Sequence, residues 1–468
     1  MKLNKKIFKR SLKLPALLCG GALILFQSEL HAQANTQLPY IPEIAQSIIY
    51  RPSIFPKNIY YFGMPFISDV NINLTNDGLN YLEAHSKQNE NAYINVPTLL
   101  DNLNANNTLA LDYSLDLLSF GFRSNKNYFS FNLTERLPIL FQYSDDLMNL
   151  LYKGNAAFLG QTIDYADCKL DASHFWEIGF GMTRQINKKW SAGVRIKRLY
   201  GIENISSKSS KLSAYTDATN YKLQLESDLV INASSPINNP DGYSSTSMQS
   251  YLTNTDNGGW AANFGVSFNM NEKWVFSFDA LDIGKITWNT APINSHLDNG
   301  IYSFSGVGLD EFLHSTSDTI DFLDSLENSF KPVKTYNSYS TSLASRYILC
   351  ADHKLGKKTF ATLALRGTYF QGEILPSATL LVRHKLGTHI SLDLNFARQY
   401  DNIYSFGGGL VMQLQTLNFF ILSDNLFGTI QPLSGKLTHL NFGLNFCWLK
   451  KGVKSPPKKE KTEDIERY

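Results

Sequence analysis

This sequence lacks several features that would assign it to a common class of protein. Charged residues make up only 18% of the chain, below the roughly 25% that is usual for soluble domains. The net charge of +2 gives no basis for a nucleic-acid partner. Beyond the N-terminal region, no apolar run reaches the ~18 residues of a membrane-spanning helix. We therefore expect neither an ordinary soluble domain nor a helical membrane protein.

Cysteines and catalytic motifs are also scarce. Past the N-terminal region only Cys168, Cys350 and Cys447 occur, and their wide spacing excludes a disulfide framework and a Cys-x-x-Cys zinc pair. The P-loop, Gly-x-Gly-x-x-Gly, His-Glu-x-x-His and Gly-x-Ser-x-Gly motifs are absent. Asp279 and Asp282 fall on opposite faces of a regular strand, which separates them for general acid–base work. The sequence predicts no enzyme, no cofactor and no metal site.

The N-terminus has the organisation of a secretory signal peptide over residues 1–32. A basic end precedes a short apolar run from Leu14 to Phe26, and residues 30–32 offer a cleavage site. The alternative is a single membrane anchor, but an anchor needs ~20 apolar residues and this run is shorter than that. We therefore expect an exported chain.

Aromatic residues, in contrast, are abundant and alternate with small polar ones. They make up 13% of the chain. Between residues 259 and 270 the even positions read Trp, Ala, Phe, Val, Phe, Met, and the odd positions read Gly, Ala, Asn, Gly, Ser, Asn. Residues 127–134, 389–398 and 439–448 repeat the pattern. Such alternation fits a half-buried strand of a soluble sandwich as well as a lipid-facing strand of a barrel.

Strand length and connection length favour the barrel. Many candidate strands exceed the ~5–6 residues typical of soluble sheets. The connections at 187–189 and 271–273 are tight, whereas those at 203–217, 234–258 and 289–336 are long and polar, which is the pattern of outer-membrane barrels. The candidate strands are 58–75, 109–123, 127–136, 159–170, 173–186, 190–202, 218–233, 259–270, 274–288, 337–355, 358–371, 375–387, 388–400, 403–423 and 437–449.

Two segments depart from the alternation. Residues 138–152 have the apolar spacing of a short helix, which would plug the lumen, cap one end or simply pack against the wall. Residues 310–330 carry six acidic side chains and predict a partly helical outer loop. The predicted division of the chain is a signal peptide (1–32), a periplasmic or plugging N-terminal segment with the first strand (33–108), the barrel (109–449) and a disordered, charged periplasmic tail (450–468).

Four tryptophans are predicted to mark the membrane interfaces. Both tight turns end in Lys-Trp, so that Trp190 and Trp274 open the outgoing strands at the level expected for an aromatic girdle. Trp260 is expected at the opposite interface, and Trp448 completes the predicted set. Trp288 is expected above the membrane, at the root of a long loop. The alternative explanation of the two Lys-Trp turns is that they are hairpins of a soluble protein whose sequences are alike by chance.

Three charged residues are predicted to face the lumen: Glu177, Arg195 and Lys197. The two basic residues share the polar face of the strand predicted over 190–202. Inside a barrel they would pair with acids such as Glu177, as part of the packing of the lumen, or contact an anionic ligand.

A short signature on the strand predicted over 274–288 resembles that of a known family. Leu281, Asp282, Gly284, Ile286 and Trp288 match a Leu-Asp-x-Gly-x-Ile-x-Trp pattern of uncharacterised Bacteroidota outer-membrane β-barrels, a domain of unknown function. Further short motifs follow in the same order over most of the mature chain. That family is distantly similar to fatty-acid transporter barrels and to the barrel of the type IX secretion machinery. The resemblance implies a strand count near fourteen and no catalytic residues.

The sequence thus predicts an all-β protein: a transmembrane antiparallel β-barrel of about 14 strands with one or two short helices, in the cell outer membrane and surrounded by its lipid. The predicted function is the binding or passage of a small hydrophobic molecule, with a lateral opening or apolar pocket near residues 138–152. The alternative is a scaffold barrel in protein export or surface attachment, which would use residues 310–330 and the tail to hold a periplasmic or surface protein partner.

Overall fold

The structure is a computed structural model that describes residues 37–449 except 79–84, 89–90, 166, 209–210, 236–251, 299, 303–330, 399–403 and 432–435. The strands are β1 (Asn58–Gly63), β2 (Val70–Asn76), β3 (His85–Gln88), β4 (Asn91–Ile94), β5 (Asn106–Ser124), β6 (Asn127–Ser144), β7 (Thr162–Asp164), β8 (Lys169–Gln185), β9 (Trp190–Lys208), β10 (Leu212–Thr216), β11 (Leu223–Ser227), β12 (Val230–Ser234), β13 (Gly258–Asn269), β14 (Trp274–Trp288), β15 (Pro292–His296), β16 (Gly300–Tyr302), β17 (Val333–Thr335), β18 (Tyr339–Ser342), β19 (Ser345–Lys354), β20 (Thr359–Phe370), β21 (Glu373–Lys385), β22 (Ile390–Arg398), β23 (Tyr404–Leu414), β24 (Leu417–Ser423) and β25 (Leu437–Leu449). The helices are α1 (Ser47–Tyr50), α2 (Val96–Asp101), α3 (Asp145–Lys153) and α4 (Leu426–Ile430), with short 3-10 turns at Leu38–Tyr40 and Asn155–Phe158.

The wall is a closed antiparallel barrel of 14 strands. Neighbouring wall strands follow one another in chain order, and β1 and β2 together occupy the first position. The last strand, β25, pairs with both β1 and β2 and so closes the cylinder. Closure leaves no unpaired sheet edge, which satisfies the backbone without water. The predicted fold class is confirmed.

The two faces of the wall have the polarity opposite to that of a soluble protein. On β22 the outward side chains Leu392, Leu394 and Phe396 are exposed, whereas the inward Asp393 and Asn395 are buried. Soluble sheets bury the apolar set and expose the polar one. An apolar outer surface around a polar interior is instead the arrangement of a barrel in a membrane.

The wall strands meet in tight turns at one end, which we call the short-turn end. These turns are residues 125–126, 186–189, 270–273, 355–358, 386–389 and 415–416. The other end, the long-loop end, carries most of the remaining chain. There a small sheet of β7, β10, β11 and β16 packs with α3 around a buried cluster.

The helix predicted over 138–152 is wrong in its first half. Residues 138–144 continue β6, because they pair with β5 as far as Ser144 opposite Asn106. The helix α3 begins only at Asp145, where the Ser144 hydroxyl accepts a hydrogen bond from the Leu147 amide, 3.0 Å away. No helix in the described residues is long and apolar enough to cross a membrane.

Five predicted strands also differ from the structure, two of them because 58–75 is divided into β1 and β2 and 337–355 into β18 and β19. The segment 159–170 contributes β7 and the first two residues of β8, and 218–233 contributes β11 and β12. The strands β7, β11 and β12 are short and lie at the long-loop end. The segment 403–423 is a hairpin of β23 and β24 rather than one strand. Alternation does not separate loop strands from wall strands, since both have one buried face. The predicted signal peptide, acidic loop and tail lie outside the described residues.

Residues 37–57 lie inside the barrel, and we call them the plug. The plug contacts the wall on several sides: the amide of Gln46 reaches Asn445 on β25 at 2.5 Å, and the carbonyl of Pro52 accepts a hydrogen bond from Thr183 on β8 at 2.9 Å. Its apolar residues Ile41 and Ile44 are fully buried against inward side chains of the wall. The polar inner wall thus acquires a local apolar core.

Candidate functional site

A layer of paired charges crosses the interior of the barrel beyond the plug. Lys197 Nζ lies 3.0 Å from Glu177 Oε2 and 2.5 Å from Asp282 Oδ1. Arg136 Nη1 lies 3.3 Å from Glu177 Oε2, and Arg346 contacts Asp282. We call these five residues the charged layer. They come from β6, β8, β9, β14 and β19, so the layer ties together strands from separate parts of the wall.

Asp282 reaches this layer because β14 is irregular. The pairing of β13 with β14 shifts between Ala262 and Phe264, which inserts one extra residue on β14. Asp282 has a left-handed φ of 57°, and its amide donates to Asn263 Oδ1 at 2.8 Å. Both Asp279 and Asp282 are therefore buried inside the barrel. The prediction that they face opposite sides is wrong, because it assumed a regular strand without a bulge.

The three charged residues predicted to face the lumen are all buried within the barrel. Lys197 and Glu177 pair with each other, whereas Arg195 does not join them. The Arg195 guanidinium donates to Asn132 and, at 2.9 Å, to the Ser130 hydroxyl. No group of three or more His, Cys, Asp or Glu within the described ranges could hold a metal ion.

The plug is held by its own ion pairs, nearer the short-turn end. Arg51 Nη2 lies 2.6 Å from Asp352 Oδ2 and 2.9 Å from the Ser277 hydroxyl. Asp279 accepts from the Ser53 amide at 2.9 Å and from the Ser53 hydroxyl at 2.7 Å. Burial lowers the pKa of Arg51, but the carboxylates of Asp352 and Asp279 outweigh it and raise that pKa overall. The guanidinium therefore stays charged.

A second ion pair of the plug centres on Glu43. Its carboxylate lies 2.8 Å from Arg383 Nη1 and 2.8 Å from Lys385 Nζ, both on β21, and 3.7 Å from Lys57 Nζ. Burial by itself raises the pKa of Glu43. The positive charges of Arg383, Lys57 and Lys385 together have the larger effect and lower the pKa to about 2. Glu43 is thus ionised at neutral pH and ties the start of the plug to the wall.

Two glycines of the wall make room for the plug. Gly193 on β9 and Gly265 on β13 are register partners on the inner face. A side chain on Gly193 would collide with the carbonyl oxygen of Pro52, and one on Gly265 would come within 2.5 Å of the Ser53 amide nitrogen. The backbones of plug and wall therefore pack directly against each other.

A pocket lies on the other side of the charged layer, towards the long-loop end. Its volume is about 110 Å³. The apolar part of its lining includes Leu140, Phe175, Leu343, Ala344 and Phe370. We call it the upper pocket. An apolar cavity of ~150 Å³ in another protein holds benzene, so this volume suits a small ring or one end of a longer apolar molecule.

The floor of the upper pocket belongs to the charged layer. Arg136, Asp282 and Arg346 line it, and the Nε atoms of both arginines are buried without a hydrogen-bond partner among the described residues. An unpaired buried N–H is costly.

The wall beside the upper pocket has a gap in its hydrogen bonding. The pairing of β6 with β8 runs to Arg136 opposite Phe175 and resumes at Ile139 opposite Ala172. The residues between, Leu137 and Pro138, are unpaired on this side, and proline has no amide hydrogen to donate. Pro138 also lines the pocket. The gap in the hydrogen bonding therefore lies in the part of the wall that borders the pocket.

Trp288 is fully buried within the barrel, while its position above the level of the membrane stays a prediction. Its ring packs with Phe175, Leu199 and Ile286, and its Nε1 donates to the Thr341 hydroxyl at 2.9 Å. The bulge at Asp282 turns the rest of β14 so that Ile286 and Trp288 point inward. Strand length alone could not show this, because a one-residue shift exchanges the two faces.

The four predicted girdle tryptophans all lie on the outward face. Trp260 is 61% exposed; Trp190 and Trp448 are exposed, and Trp274 is half-buried against His353. Trp260 pairs with Lys285, eleven residues along β14 from Trp274. At ~3.3 Å per residue and a tilt of ~40°, this separation is roughly 28 Å in height, close to the ~25 Å apolar band of such barrels.

Sequence reasoning did not identify Arg136, Arg346 or Arg51. Arg136 is the last residue of the strand predicted over 127–136, and Arg346 lies in the strand predicted over 337–355; neither strand has a marked charge pattern. Arg51 lies in the plug, where no alternation exists to give it a face. One sequence feature could have identified such residues. An isolated charge on an otherwise small or polar inner face is costly to bury inside the barrel unless it has a partner.

The fold and this interior define a closed, plugged β-barrel with an apolar outer surface. Residues 52–424 match the family of unknown function DUF5723, so the chain belongs to that family. Membership of an uncharacterised family is thus confirmed, whereas the bacterial group named with it stays a prediction. No curated protein matches the chain.

Among solved structures, the chain is similar to the toluene transporter TbuX of Ralstonia pickettii, with 7% identity over 86% of this chain and 93% of that chain and a TM-score of 0.43. It is similar to the toluene transporter TodX of Pseudomonas putida, with 8% identity over 86% and 91% and a TM-score of 0.43. A Pseudomonas aeruginosa FadL homologue has 11% identity over 84% and 90% and a TM-score of 0.37.

Proposed function

We propose that the protein is an outer-membrane barrel that binds a small hydrophobic molecule in the upper pocket, as a step in its passage across or into the membrane. The upper pocket is the observation that carries this proposal. It is lined by Phe175, Leu343 and Phe370 and lies within a barrel whose outer surface is apolar. Burial of apolar area in such a pocket contributes ~25 cal/mol per Å².

The floor of the pocket supports a preference for molecules with an oxygen atom. Arg136 and Arg346 bring guanidinium donors to the lining of the pocket, which also includes the carboxylates of Asp112 and Asp171 beside its apolar residues. A hydrocarbon cannot accept a hydrogen bond from these donors, whereas a carbonyl, hydroxyl or carboxylate oxygen would accept from them. We therefore expect an oxygenated ring compound to bind more tightly than the parent hydrocarbon.

The surroundings of the pocket set the direction of passage. The charged layer and the plug lie across the lumen on the side of the short-turn end. Towards the outer surface, in contrast, the pocket borders the unpaired residues Leu137 and Pro138. A lateral route to lipid breaks fewer contacts than a route through the plug, and it matches the lateral opening expected from the sequence.

A photolabelling experiment tests the proposal. The purified barrel is exposed to a phenyl diazirine, and labelled residues are mapped by mass spectrometry with and without an excess of benzoate or toluene. We expect protection of Phe175 and Phe370, stronger for benzoate. Ala344→Phe fills the pocket and should abolish the protected label, whereas Ala192→Phe, on the outward face of β9, should not. Pocket label that neither competitor reduces contradicts the proposal.

A further inference from the structure

The short-turn end carries a patch of exposed lysines on one side of the barrel. Four successive turns, those after β5, β8, β13 and β19, contain or adjoin them. Within those turns Glu272 is the one acidic residue. No ion pair in the described part of the chain involves any of these lysines. We call them the basic turn patch: Lys126, Lys188, Lys189, Lys273, Lys354, Lys357 and Lys358.

The patch covers only part of the rim. The turns at 386–389 and 415–416, which complete this end, contain no lysine, and Lys385, which adjoins the first of them, is paired with Glu43. The chain leaves the wall after Leu449, at the same end, and residues 450–461 contain six lysines and one glutamate. The basic character of this end is therefore concentrated on the β5–β20 side and continued by the sequence that follows the barrel.

The same turns expose apolar side chains beside the lysines. Ile186, Met270 and Leu355 are each more than half exposed, and each continues the outward apolar face of its strand. Trp190 and Trp274 follow directly after Lys189 and Lys273. A turn that faces only water does not need an apolar side chain next to each cation. An apolar stem with a cationic tip is the combination that fits the boundary between lipid tails and headgroups.

We infer that the basic turn patch binds the phosphate groups of anionic phospholipids in the membrane leaflet at the short-turn end. Each lysine near such a surface contributes ~1 kcal/mol of attraction. The exposed apolar residues would enter the outer part of the tail region while the ammonium groups reach the phosphates. This inference requires the barrel to lie in a membrane, as proposed above, but it does not involve the upper pocket.

The arrangement favours lipid over an acidic protein. The lysines follow the perimeter turn by turn, at the edge of the outward apolar face, and of the seven only Lys273 and Lys354 line the cavity at this end. A protein partner would need a cleft or a flat area, whereas lipids bind one by one around a barrel. Glu272, the only acid in the patch, lies beside Lys273 and leaves the net charge strongly positive.

Native mass spectrometry can test this inference on the full chain. The protein is reconstituted in nanodiscs with equal phosphatidylcholine and phosphatidylglycerol, and retained lipids are counted after release. The test variant is Lys188→Gln/Lys189→Gln/Lys357→Gln/Lys358→Gln. The matched control removes four exposed lysines at the long-loop end: Lys153→Gln/Lys208→Gln/Lys222→Gln/Lys331→Gln. These side chains are exposed in both variants, so both should fold.

We expect the wild-type protein and the control to retain phosphatidylglycerol in excess. The test variant should lose that preference by at least about fivefold at low salt, and high salt should weaken it in the wild type. Equal retention of the two lipids by the wild type overturns the inference, as does an equal loss in the control. Tight binding of a polyglutamate peptide, lost only in the test variant and unaffected by phosphatidylglycerol, would assign the patch to an acidic protein instead.

The upper pocket serves as the internal reference for this test. Competitor-protected photolabelling of Phe175 should be the same in both lysine variants, because the patch and the pocket lie at opposite ends of the barrel. A failure of lipid preference with the label intact removes the inference and leaves the proposed function in place. Loss of the label with the lipid preference intact removes the proposed function and leaves the lipid inference in place.

Discussion

Lys197 and Asp282 are 85 residues apart in the sequence, yet their Nζ and Oδ1 atoms lie 2.5 Å apart inside the barrel. The contact exists because Asp282 is the bulged residue of β14 and turns inward at φ 57°. Lys197 also reaches Glu177 at 3.0 Å. One irregular backbone position thus completes the layer that separates the plug from the upper pocket.

Removal of the Asp282 carboxylate should destabilise the barrel. Asp282→Ala leaves Lys197 and Arg346 short of a buried counter-charge, and breaking such a pair costs about 3–5 kcal/mol. Urea unfolding in lipid vesicles, followed by tryptophan fluorescence, measures the loss. Glu272→Ala removes an exposed acid from a turn and should change the free energy of unfolding by less than about 0.5 kcal/mol. Equal stability of the two variants would show that the layer is not a structural element.

The contact between plug and wall predicts a second effect. Gly193→Ala forces a methyl group against the Pro52 carbonyl, and overpacking of this kind costs about 1–3 kcal/mol. The plug should then leave its site more often, so that chymotrypsin cuts after the buried Tyr40 about tenfold faster. Gly356→Ala is the control, since nothing lies within 4 Å of its added carbon. An unchanged cleavage rate in Gly193→Ala would argue against tight packing there.

The Glu43 ion pairs predict an acid dependence of plug docking. The folded-state pKa of Glu43 is lowered from 4.5 to about 2, so its contribution is fully present above pH 4.5 and is lost as the pH falls towards 2. We expect channel openings in planar bilayers to increase over that window. Glu43→Gln should open more often at neutral pH and lack this part of the pH dependence. If the opening frequency of Glu43→Gln depends on pH as steeply as that of the wild type, Glu43 is not the group that causes the acid dependence.

The orientation of the tryptophans can be measured with brominated lipids. In variants that each retain one of the six tryptophans, the outward Trp190, Trp260 and Trp448 should be quenched, whereas Trp288, with 0% exposure, should not. If Trp190 and Trp260 mark opposite interfaces, bromines near the headgroups should quench both better than bromines at the bilayer centre. Strong quenching of Trp288 would contradict its burial within the barrel.

The sequence by itself determined the outward face. Alternation with a period of two places Leu392, Leu394 and Phe396 on one side and Asp393 and Asn395 on the other, whatever the tertiary structure is. Polar residues of small size on the second face, together with short and long connections, then suffice to distinguish a barrel from a sandwich. The same reasoning placed Glu177 and Lys197 on the polar face, because β8 and β9 are regular around these residues and their register shifts only beyond them, at Phe175.

Only the tertiary structure decided what the interior contains. Period-two reasoning fails after an inserted residue, so the inward positions of Asp282 and Trp288 could not be read from spacing. The plug has no period, and its place depends on Arg51 and Glu43 finding partners hundreds of residues away, such as Asp352, 301 positions on. Alternation is a local property of one strand, whereas the charged layer, the plug and the upper pocket are set by which strands the closed barrel brings face to face.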